Sequence, residues 1–548
     1  MSRASEATGD VVASEATGDV VASEATGDVV ASEATGDVVA SEATGDVVAS
    51  EAAGDSVATD VDVAIVGAGF AGIGMATQLM RRGRESFVVL ERADAVGGTW
   101  RDNVYPGIAC DIPAHLYSFS FRPPADWATL FPRGAEIRDY LQRTVDEEGV
   151  APFIRLGCEV LDARWDAESA RWSVTTTGGG PVRARMLVLA VGRLSEPHSP
   201  QVEGLDGFSG TVVHTARWDP GAVSGGERIG VVGSGASAVQ IIPHLAELAE
   251  ELVVFARTPA YVVPRRDRAF SAEERARLRD VGAAKELREQ LLLDADRAFA
   301  QRLRLVPDID QIRDLALGHL RDQVANPILR QYLTPDYEIG CKRILLSDDY
   351  YPALGRPNVV YEPSALTSVV ENKACAANGA THDLDVLVLA TGFEATRPPV
   401  AVRVRGRDGK VLDDHWSKGM VSYASTTVAG FPNMFVIDGP NAALGHNSAI
   451  YMIETQLDYV LGALDYVAAE SVLSLEVSAE AEAAYTAEID ERSAPTVWLT
   501  GCNSWYVDPR SGRLTLLWPG TAVSFRERNG TFDPAPYVVC VDGAGGVR

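Results

Sequence analysis

A glycine-rich turn near the start of the globular sequence is the first group of residues that could do chemistry. The turn is Gly67-Ala-Gly69-Phe-Ala-Gly72; it follows an apolar run at residues 61–66, and Glu91 stands 22 residues after Gly69. Glycines at this spacing let the backbone approach a pyrophosphate, whose charge lies at the N-terminus of the following helix. A carboxylate at the end of the next strand accepts hydrogen bonds from ribose hydroxyls. The pattern predicts a site for a dinucleotide without a 2′-phosphate, such as FAD or NAD.

A second turn of the same form, Gly233-Ser234-Gly235-Ala-Ser237, follows the apolar run at residues 229–232. The next apolar run ends in Arg257-Thr258, with no carboxylate in that place. A guanidinium pairs bidentately with phosphate, so this turn is predicted to prefer NADPH over NADH. The alternative is a surface arginine without a ligand. An acidic and a basic dinucleotide site in one chain imply hydride transfer from NADPH to FAD.

Two longer patterns accompany the turns. They are Phe208-x-Gly210-x-x-x-His214-x-x-x-Trp218-Asp219 and Gly97-Gly98-x-Trp100-x-x-x-x-Tyr105-Pro106-Gly107-x-x-x-Asp111. Together they resemble the fingerprints of the Baeyer–Villiger monooxygenases, flavoenzymes that insert one oxygen atom of O2 beside a ketone carbonyl. The resemblance extends from residue 61 to about residue 535. It implies an enzyme that uses FAD, NADPH and O2 to convert a ketone to an ester or lactone through a C4a-peroxyflavin.

The resemblance also implies residue roles. Arg343 matches the family's catalytic arginine, a cation that favours the peroxyflavin anion and steadies the negative charge of the ketone adduct. Asp111 would hold this arginine in place beside the cofactors, and Lys342 would help bind the 2′-phosphate of NADPH. His214 is expected to pack at a domain hinge. Further cofactor contacts are implied for Thr99, Trp100 and Tyr117 with FAD, and for Ser234, Ser237 and Trp498 with NADP.

Two other functions stay open at this stage. The first is a flavin-dependent N- or S-monooxygenase; Trp218 and Arg343 favour the ketone enzyme over it. The second is a binding protein whose repeats interact and whose flavin fold is vestigial, although all the nucleotide glycines and both catalytic residues are present. Within the family, the amino-acid sequence at residues 110–120, 502–506 and 518–520 most closely resembles the branch that contains 4-hydroxyacetophenone monooxygenase.

The elements that must position these residues predict an α/β fold with two Rossmann-like domains. Residues 61–195 are predicted to begin the FAD domain, and residues 196–384 to form the NADPH domain with a helical insertion at about 271–330. A capping box, Ser271-x-x-Glu274, marks the start of the insertion. The buried run at 385–392 predicts a return of the chain to the FAD domain, which residues 385–548 would complete.

Composition limits the remaining possibilities. The net charge is −27, and 13 acidic residues against 1 basic residue give −12 of it in residues 1–60. That segment holds five perfect copies of a nonapeptide and is predicted to be a disordered tail. An acidic body argues against nucleic acid as a partner, and no apolar run predicts a membrane span or a signal peptide. The six cysteines have no CxxC spacing, which predicts reduced thiols and therefore a cytoplasmic location. The same spacing predicts no metal site and no redox-active cysteine pair of the kind found in disulfide reductases.

Overall fold

The computed structural model describes residues 58–124 and 126–541. The nonapeptide copies, predicted to form a disordered tail, lie outside the described residues. Within the two described ranges, no helix is long and apolar enough to span a membrane.

Strands and helices alternate along most of the chain. The strands are β1 Thr59–Val66, β2 Phe87–Leu90, β3 Ile154–Arg155, β4 Val160–Asp166, β5 Arg171–Thr176, β6 Val182–Leu189, β7 Thr211–His214, β8 Arg228–Val232, β9 Glu251–Phe255, β10 Val262–Val263, β11 Leu345–Leu346, β12 Val359–Glu362, β13 Leu366–Val370, β14 Lys373–Ala376, β15 Thr381–Asp383, β16 Val386–Leu389, β17 Val404–Arg405, β18 Met434–Val436, β19 Val472–Val477 and β20 Tyr537–Val541. The helices are α1 Phe70–Arg81, α2 Thr99–Asp102, α3 Gly134–Glu147, α4 Ala236–Leu248, α5 Ala272–Arg277, α6 Val281–Arg297, α7 Phe299–Arg302, α8 Asp308–Gln323, α9 Pro327–Tyr332, α10 Tyr350–Leu354, α11 Leu412–His415, α12 Ala449–Ala469, α13 Ala479–Ser493 and α14 Ala522–Asn529.

The first sheet has the strand order β17-β4-β5-β6-β1-β2-β3, and β18 pairs with the end of β6. Its centre is parallel, with Val66 of β1 in register with Leu90 of β2 and Leu189 of β6. Residues 63–66 and 87–90 are buried on both faces, as expected of parallel strands covered by helices. The strand predicted from the apolar run at residues 61–66 is confirmed.

The second sheet is parallel throughout and has the order β12-β9-β8-β16-β7. The prediction that the run at residues 385–392 returns the chain to the first domain is wrong. Strand β16 lies between β8 and β7, with Leu389 in register with Val232 and His214. An apolar run of this kind suits the centre of any parallel sheet, and only pairing decides which one. The chain returns to the first sheet later, through β17 and β18.

Helices α5 to α9 form the predicted insertion. Ser271 caps α5: its hydroxyl oxygen accepts from the N–H of Glu274 at 3.1 Å, and Glu274 accepts in return from the N–H of Ser271 at 2.8 Å. The capping box is therefore confirmed. The antiparallel three-stranded sheet β13-β14-β15, the antiparallel pair β19-β20 and the parallel pair β10-β11 complete the described fold.

A buried ion pair connects the insertion to the first domain. Arg288 of α6 donates to Glu454 of α12 at 2.9 Å and to the carbonyl oxygens of His115 and Ser118 at 3.1 and 2.6 Å. The second carboxylate oxygen of Glu454 accepts from the N–H of Ser120 at 2.6 Å. Both charged side chains are nearly inaccessible, at 11% and 7% exposure, so each supplies the opposite charge that offsets the other's loss of solvent.

We predict that Arg288→Met lowers the free energy of unfolding by about 3–5 kcal/mol, because it leaves the Glu454 carboxylate buried and unpaired. Arg297→Met on the same helix is the matched control, since that side chain is 74% exposed and should change stability by less than about 0.5 kcal/mol. Urea unfolding followed by tryptophan fluorescence measures both. Equal midpoints for the two variants would show that the buried pair does not hold the insertion.

Candidate active site

The first glycine turn has the close backbone packing that a pyrophosphate site requires. A side-chain carbon at Gly72 would overlap the carbonyl oxygen of Gly67, so only glycine fits there. Helix α1 begins at Phe70 with no acidic residue in its first turn. Its N-terminus is therefore free to favour an anion.

Glu91 braces this turn from the end of β2. Its two carboxylate oxygens accept from the N–H groups of Ala68 and Ala93, at 2.8 and 3.0 Å, and Arg101 lies 3.0 Å from one of them. The side chain is 5% exposed. The predicted ribose acceptor thus has a second role, because it fixes the shape of the turn.

A cavity of about 350 Å³ opens beside the turn. Its lining includes most residues predicted to bind FAD, namely Gly67, Gly69, Glu91, Thr99, Trp100 and Tyr117. Trp100 donates its indole N–H to the hydroxyl oxygen of Tyr117 at 3.3 Å, and the two rings meet edge to face at 5.6 Å. The residues present fit a flavin dinucleotide: a glycine turn for the pyrophosphate, a carboxylate for the ribose and rigid aromatic walls.

The second glycine turn is built in the same way at the end of β8. The hydroxyl of Ser234 donates to the carbonyl oxygen of Thr258 at 2.6 Å, joining this turn to the segment after β9. Helix α4 begins directly after Gly235 and carries no acidic residue in its first turn, which includes Ser237. Together with Gly233, these residues fit the phosphates of a second dinucleotide.

Two cations lie near this second turn. Arg257 is exposed at the end of β9, and Lys342 is half-buried with its ammonium 5.1 Å from the centre of the Tyr337 ring. Burial first, and then the charge of Arg257, lower the pKa of Lys342. Two like charges close enough to affect each other could hold a phosphate dianion.

Arg343 and Asp111 form an ion pair, although they are 232 residues apart in the sequence. The guanidinium Nε lies 2.8 Å and Nη2 lies 2.6 Å from the same carboxylate oxygen. The charge of Asp111 raises the pKa of Arg343, which therefore stays a cation at any relevant pH. Asp111 does not line the cavity itself. Its contact with Arg343 is as the sequence resemblance implied.

The charge of Arg343 acts on Arg193, a residue that lines the cavity. Arg193 lines the cavity and pairs with Asp438, another lining residue. Burial first, and also the charge of Arg343, lower the pKa of Arg193 to about 10. The predicted catalytic cation and the predicted FAD site thus belong to one electrostatic region.

The second fingerprint docks the two sheets on each other. Tyr105 donates its hydroxyl to the side-chain oxygen of Gln240 on α4 at 2.9 Å, and the Gln240 amide donates to the carbonyl oxygen of Ala109 at 2.9 Å. These two bonds clamp helix α4 to the loop that ends in Asp111. The spacing of the fingerprint follows from this contact.

The residues of the first fingerprint are structural. His214 ends β7, and burial with the charge of Arg217 lowers its pKa to about 4. Its Nδ1 accepts from the N–H of Ala216 at 3.0 Å, and its ring packs 6.3 Å from that of Phe393. Trp218 is buried in the core of the second domain. The expectation that His214 packs and does not act as a base agrees with these contacts.

Trp498 is 1% exposed, and its indole N–H has no hydrogen-bond partner among the described residues. It shares an apolar cluster with Cys341 and Tyr506. The prediction of reduced thiols is wrong for two cysteines, because Cys341 and Cys502 form a disulfide with their Cα atoms 6.4 Å apart. A separation of 161 residues hides this pair from any reading of local spacing. Cysteine usage therefore gives no support to a reducing compartment, and the cytoplasmic location stays a prediction.

Sequence reasoning missed three polar residues near Arg343. Tyr506, Arg302 and His446 are buried there, and the charge of Arg343 affects the ionisation of each. Tyr506 lies within residues 502–506, which the sequence singles out only through their resemblance to one branch of the family. Arg302 ends a short helix in an arginine-rich insertion, so nothing local marks it. In the sequence, His446 could be noticed only as a histidine next to apolar residues, which is weak evidence for a functional role.

Comparisons with known proteins identify the family of the chain. A sequence model of the pyridine nucleotide-disulphide oxidoreductase family matches residues 64–281, which contain both glycine turns. The chain is 44% identical to a Baeyer–Villiger monooxygenase of Streptomyces coelicolor, in an alignment covering 87% of this chain and 92% of that protein. This chain belongs to the Baeyer–Villiger monooxygenase family. A family member from Pseudomonas aeruginosa is 40% identical over 87% of this chain and 90% of its own length.

Solved structures extend the likeness to three dimensions. The closed form of cyclohexanone monooxygenase superposes with a TM-score of 0.79 at 29% identity, over 88% of this monooxygenase and 100% of that chain. An oxidised steroid monooxygenase bound to NADP gives 0.78 at 30% identity, over 88% and 100%. OTEMO in complex with FAD and NADP gives 0.77 at 26% identity, over 88% and 99%.

The protein is thus an FAD- and NADPH-dependent Baeyer–Villiger monooxygenase. The fold is a mixed α/β architecture with Rossmann-like parallel sheets, as in cyclohexanone monooxygenase. Family membership decides between the two oxygenase hypotheses in favour of the ketone enzyme over the N- or S-monooxygenase.

We predict that Gly72→Ala yields monooxygenase largely free of FAD. The added carbon meets backbone, so the turn must move; at a cost of about 3 kcal/mol, FAD affinity falls by about 100-fold. Gly235→Ala is the matched control, because a side-chain carbon there meets open space. The flavin absorbance per protein after gel filtration measures both, with circular dichroism as a check on folding. Full FAD content in a folded Gly72→Ala variant would contradict the assignment of this turn.

Proposed function

We propose that Arg343 is the catalytic cation of this monooxygenase and that Asp111 positions it. FAD, once bound and reduced by NADPH, supplies the activated oxygen. Arg343 favours negative charge on the oxygen that attacks the ketone, and then on the former carbonyl oxygen of the substrate. The single observation that carries the proposal is the ion pair with Asp111, which fixes a cation whose charge acts on Arg193, a residue that lines the cavity.

The assignment of FAD to the first glycine turn and of NADPH to the second rests on charge. The first site ends in the carboxylate of Glu91, which suits a ribose with free hydroxyls. The second has Arg257 and Lys342, which suit a 2′-phosphate. In this proposal Gly233, Ser234, Gly235 and Ser237 hold the pyrophosphate, Thr258 supports the turn, and the unpaired N–H of Trp498 meets the dinucleotide.

The FAD-binding domain is discontinuous in this proposal. Strands β1–β6 and, after the NADPH domain, β17 and β18 build the first sheet around the FAD turn. The second sheet, from β7 to β16, holds the NADPH turn. The predicted boundary at residue 385 therefore moves beyond β16, and the helical insertion stays within the NADPH domain.

We propose that the monooxygenase belongs to the branch that contains 4-hydroxyacetophenone monooxygenase. The basis is the amino-acid sequence at residues 110–120, 502–506 and 518–520, which resembles that branch. Its partners are then a small ketone and O2, with no nucleic acid, and its location is the cytoplasm. Incubation of the purified protein with NADPH, O2 and paired aryl and cyclic ketones tests the branch. Preferential turnover of the cyclic ketones, detected by product mass, would place the enzyme elsewhere in the family.

We predict that Arg257→Ala raises the KM for NADPH by about 10- to 100-fold, because a charge-assisted phosphate contact is lost. The KM for NADH, which has no 2′-phosphate, should change by less than about twofold. Arg275→Ala, an exposed arginine of α5, is the matched control for removing a surface charge. An equal effect on both nucleotides would show that Arg257 does not contact the 2′-phosphate.

We predict that Arg343→Ala still binds FAD and is still reduced by NADPH, but loses ester formation by about 10²- to 10³-fold. Oxygen should then be released as hydrogen peroxide. Arg343→Lys keeps a charge and should lose less, while Asp111→Ala should lose oxygenation by misplacing Arg343. Stopped-flow reduction, product mass and a peroxide assay separate the two half-reactions. Ester formation by Arg343→Ala at the wild-type rate would end the proposed role.

A further inference from the structure

Arg302 is a buried cation without a counter-charge. It ends helix α7, is 5% exposed, and has no carboxylate within ion-pair distance in the described part of the chain. Its guanidinium donates only to the side-chain oxygen of Gln301 at 3.2 Å and to the carbonyl oxygen of Gly445 at 3.4 Å. Of the five N–H donors of a guanidinium, most remain unused. Burial of a lone charge is costly, and it is compensated when an anion binds.

Two glycines let the backbone come close to this guanidinium. A side-chain carbon at Gly340 would lie 3.1 Å from Nη1 of Arg302, and one at Gly445 would lie 3.9 Å from Nε. Gly340 has a φ of +88° and directly precedes the segment Cys341-Lys342-Arg343. The guanidinium therefore lies against the backbone that carries the catalytic arginine, with no side chain in between at either position.

Unpaired polar groups surround the same place. Among the described residues, neither ring nitrogen of His446 has a partner at hydrogen-bond distance, and the hydroxyl of Tyr506 faces the guanidinium of Arg343. The His446 side chain is completely inaccessible, and its Nε2 lies 3.6 Å from the carboxylate of Asp296. Burial lowers the pKa of His446, while the neighbouring carboxylate of Asp296 opposes this shift. Buried polar groups without partners mark a ligand or ordered water.

The cluster is connected and otherwise apolar. The ring of Phe299 lies 5.5 Å from that of His446 and 6.4 Å from that of Trp498, and the Trp498 ring lies 6.4 Å from that of Tyr506. Arg302 and Arg343 both oppose the burial-raised pKa of Tyr506, so its hydroxyl is near both cations. A small anion with two acceptor oxygens would match the hydrogen-bond donors of this cluster.

We propose that Arg302, His446 and Tyr506 form a subsite for a carboxylate of the substrate, so that this monooxygenase acts on keto acids. This proposal rests on the proposed function: the ketone carbonyl faces Arg343 while the carboxylate occupies the subsite. A carboxylate accepts two parallel bonds from a guanidinium and still has acceptor capacity for the N–H of His446 and the hydroxyl of Tyr506. The dinucleotide phosphates have their own cations in Arg257 and Lys342, so Arg302 is left for the substrate.

The test compares keto acids of increasing chain length with their methyl esters, which keep the ketone and lose the charge. The wild-type enzyme should have a higher kcat/KM for at least one acid than for its ester. Arg302→Met should lower that kcat/KM by about 10- to 100-fold through KM, and change ester turnover by less than about twofold. Arg302→Lys should retain part of the preference. Arg304→Met, an exposed arginine in the same segment, should leave it intact.

Binding is measured separately from turnover. Titration calorimetry of the FAD-loaded enzyme should show tighter binding of the acid than of the ester, and Arg302→Met should abolish the difference. Tyr506→Phe, which keeps the ring, should weaken acid binding by a smaller factor and serves if the arginine variants do not fold. If the enzyme forms no ester from any ketone yet binds acids through Arg302, the proposed function fails and the subsite stands.

Two results would overturn the subsite. One is an equal loss of turnover for acids and methyl esters in Arg302→Met with a raised KM for NADPH, which would assign Arg302 to the dinucleotide. The other is a wild-type enzyme that binds and oxidises esters as well as acids at every chain length.

Discussion

The position of one charge organises the active site. In the proposed mechanism Arg343 has to be a fixed cation near the flavin, and a side chain as long as arginine holds one position only if something fixes it. Asp111 does so from the other domain, with two contacts to one carboxylate oxygen. The loop that carries Asp111 is in turn clamped to helix α4 through Tyr105 and Gln240. The catalytic geometry therefore depends on how the two sheets dock, and an error in docking would misplace the charge.

Each domain uses the same local device for its own dinucleotide. A parallel strand, a glycine turn and a helix free of acidic residues at its start create a site for phosphates in both places. The difference lies at the end of the following strand, where Glu91 stands in one domain and Arg257 in the other. One charged position in each domain thus separates a ribose site from a phosphate site.

The sequence was informative where function depends on short-range pattern. Both glycine turns, the strands around them and the capping box at Ser271 could be predicted because their hydrogen bonds are local. The sheet of β16 was predicted wrongly, because the run at residues 386–389 suits either sheet and pairing with β7 and β8 is a long-range property. The cystine was missed for the same reason.

The residues of the candidate site also differ in whether the sequence could identify them. Arg343 and Asp111 came from a family resemblance, since 232 residues separate them and no local rule joins them. Arg302 and His446 belong to no motif, and their interest arises only from burial without partners. Polar groups of this kind cannot be recognised until the surrounding chain is in place, because exposure is a property of the fold.

The cystine between Cys341 and Cys502 joins two segments that carry different parts of the machinery. Lys342 and Arg343 follow the first cysteine directly, while Trp498 and Tyr506 flank the second. Any displacement that carries the C-terminal segment away from the cavity must therefore draw Lys342 and Arg343 with it. In the roles proposed for them, Trp498 beside the dinucleotide and Arg343 beside the ketone are thereby joined through one covalent bridge, so that a shift of one segment would displace the other.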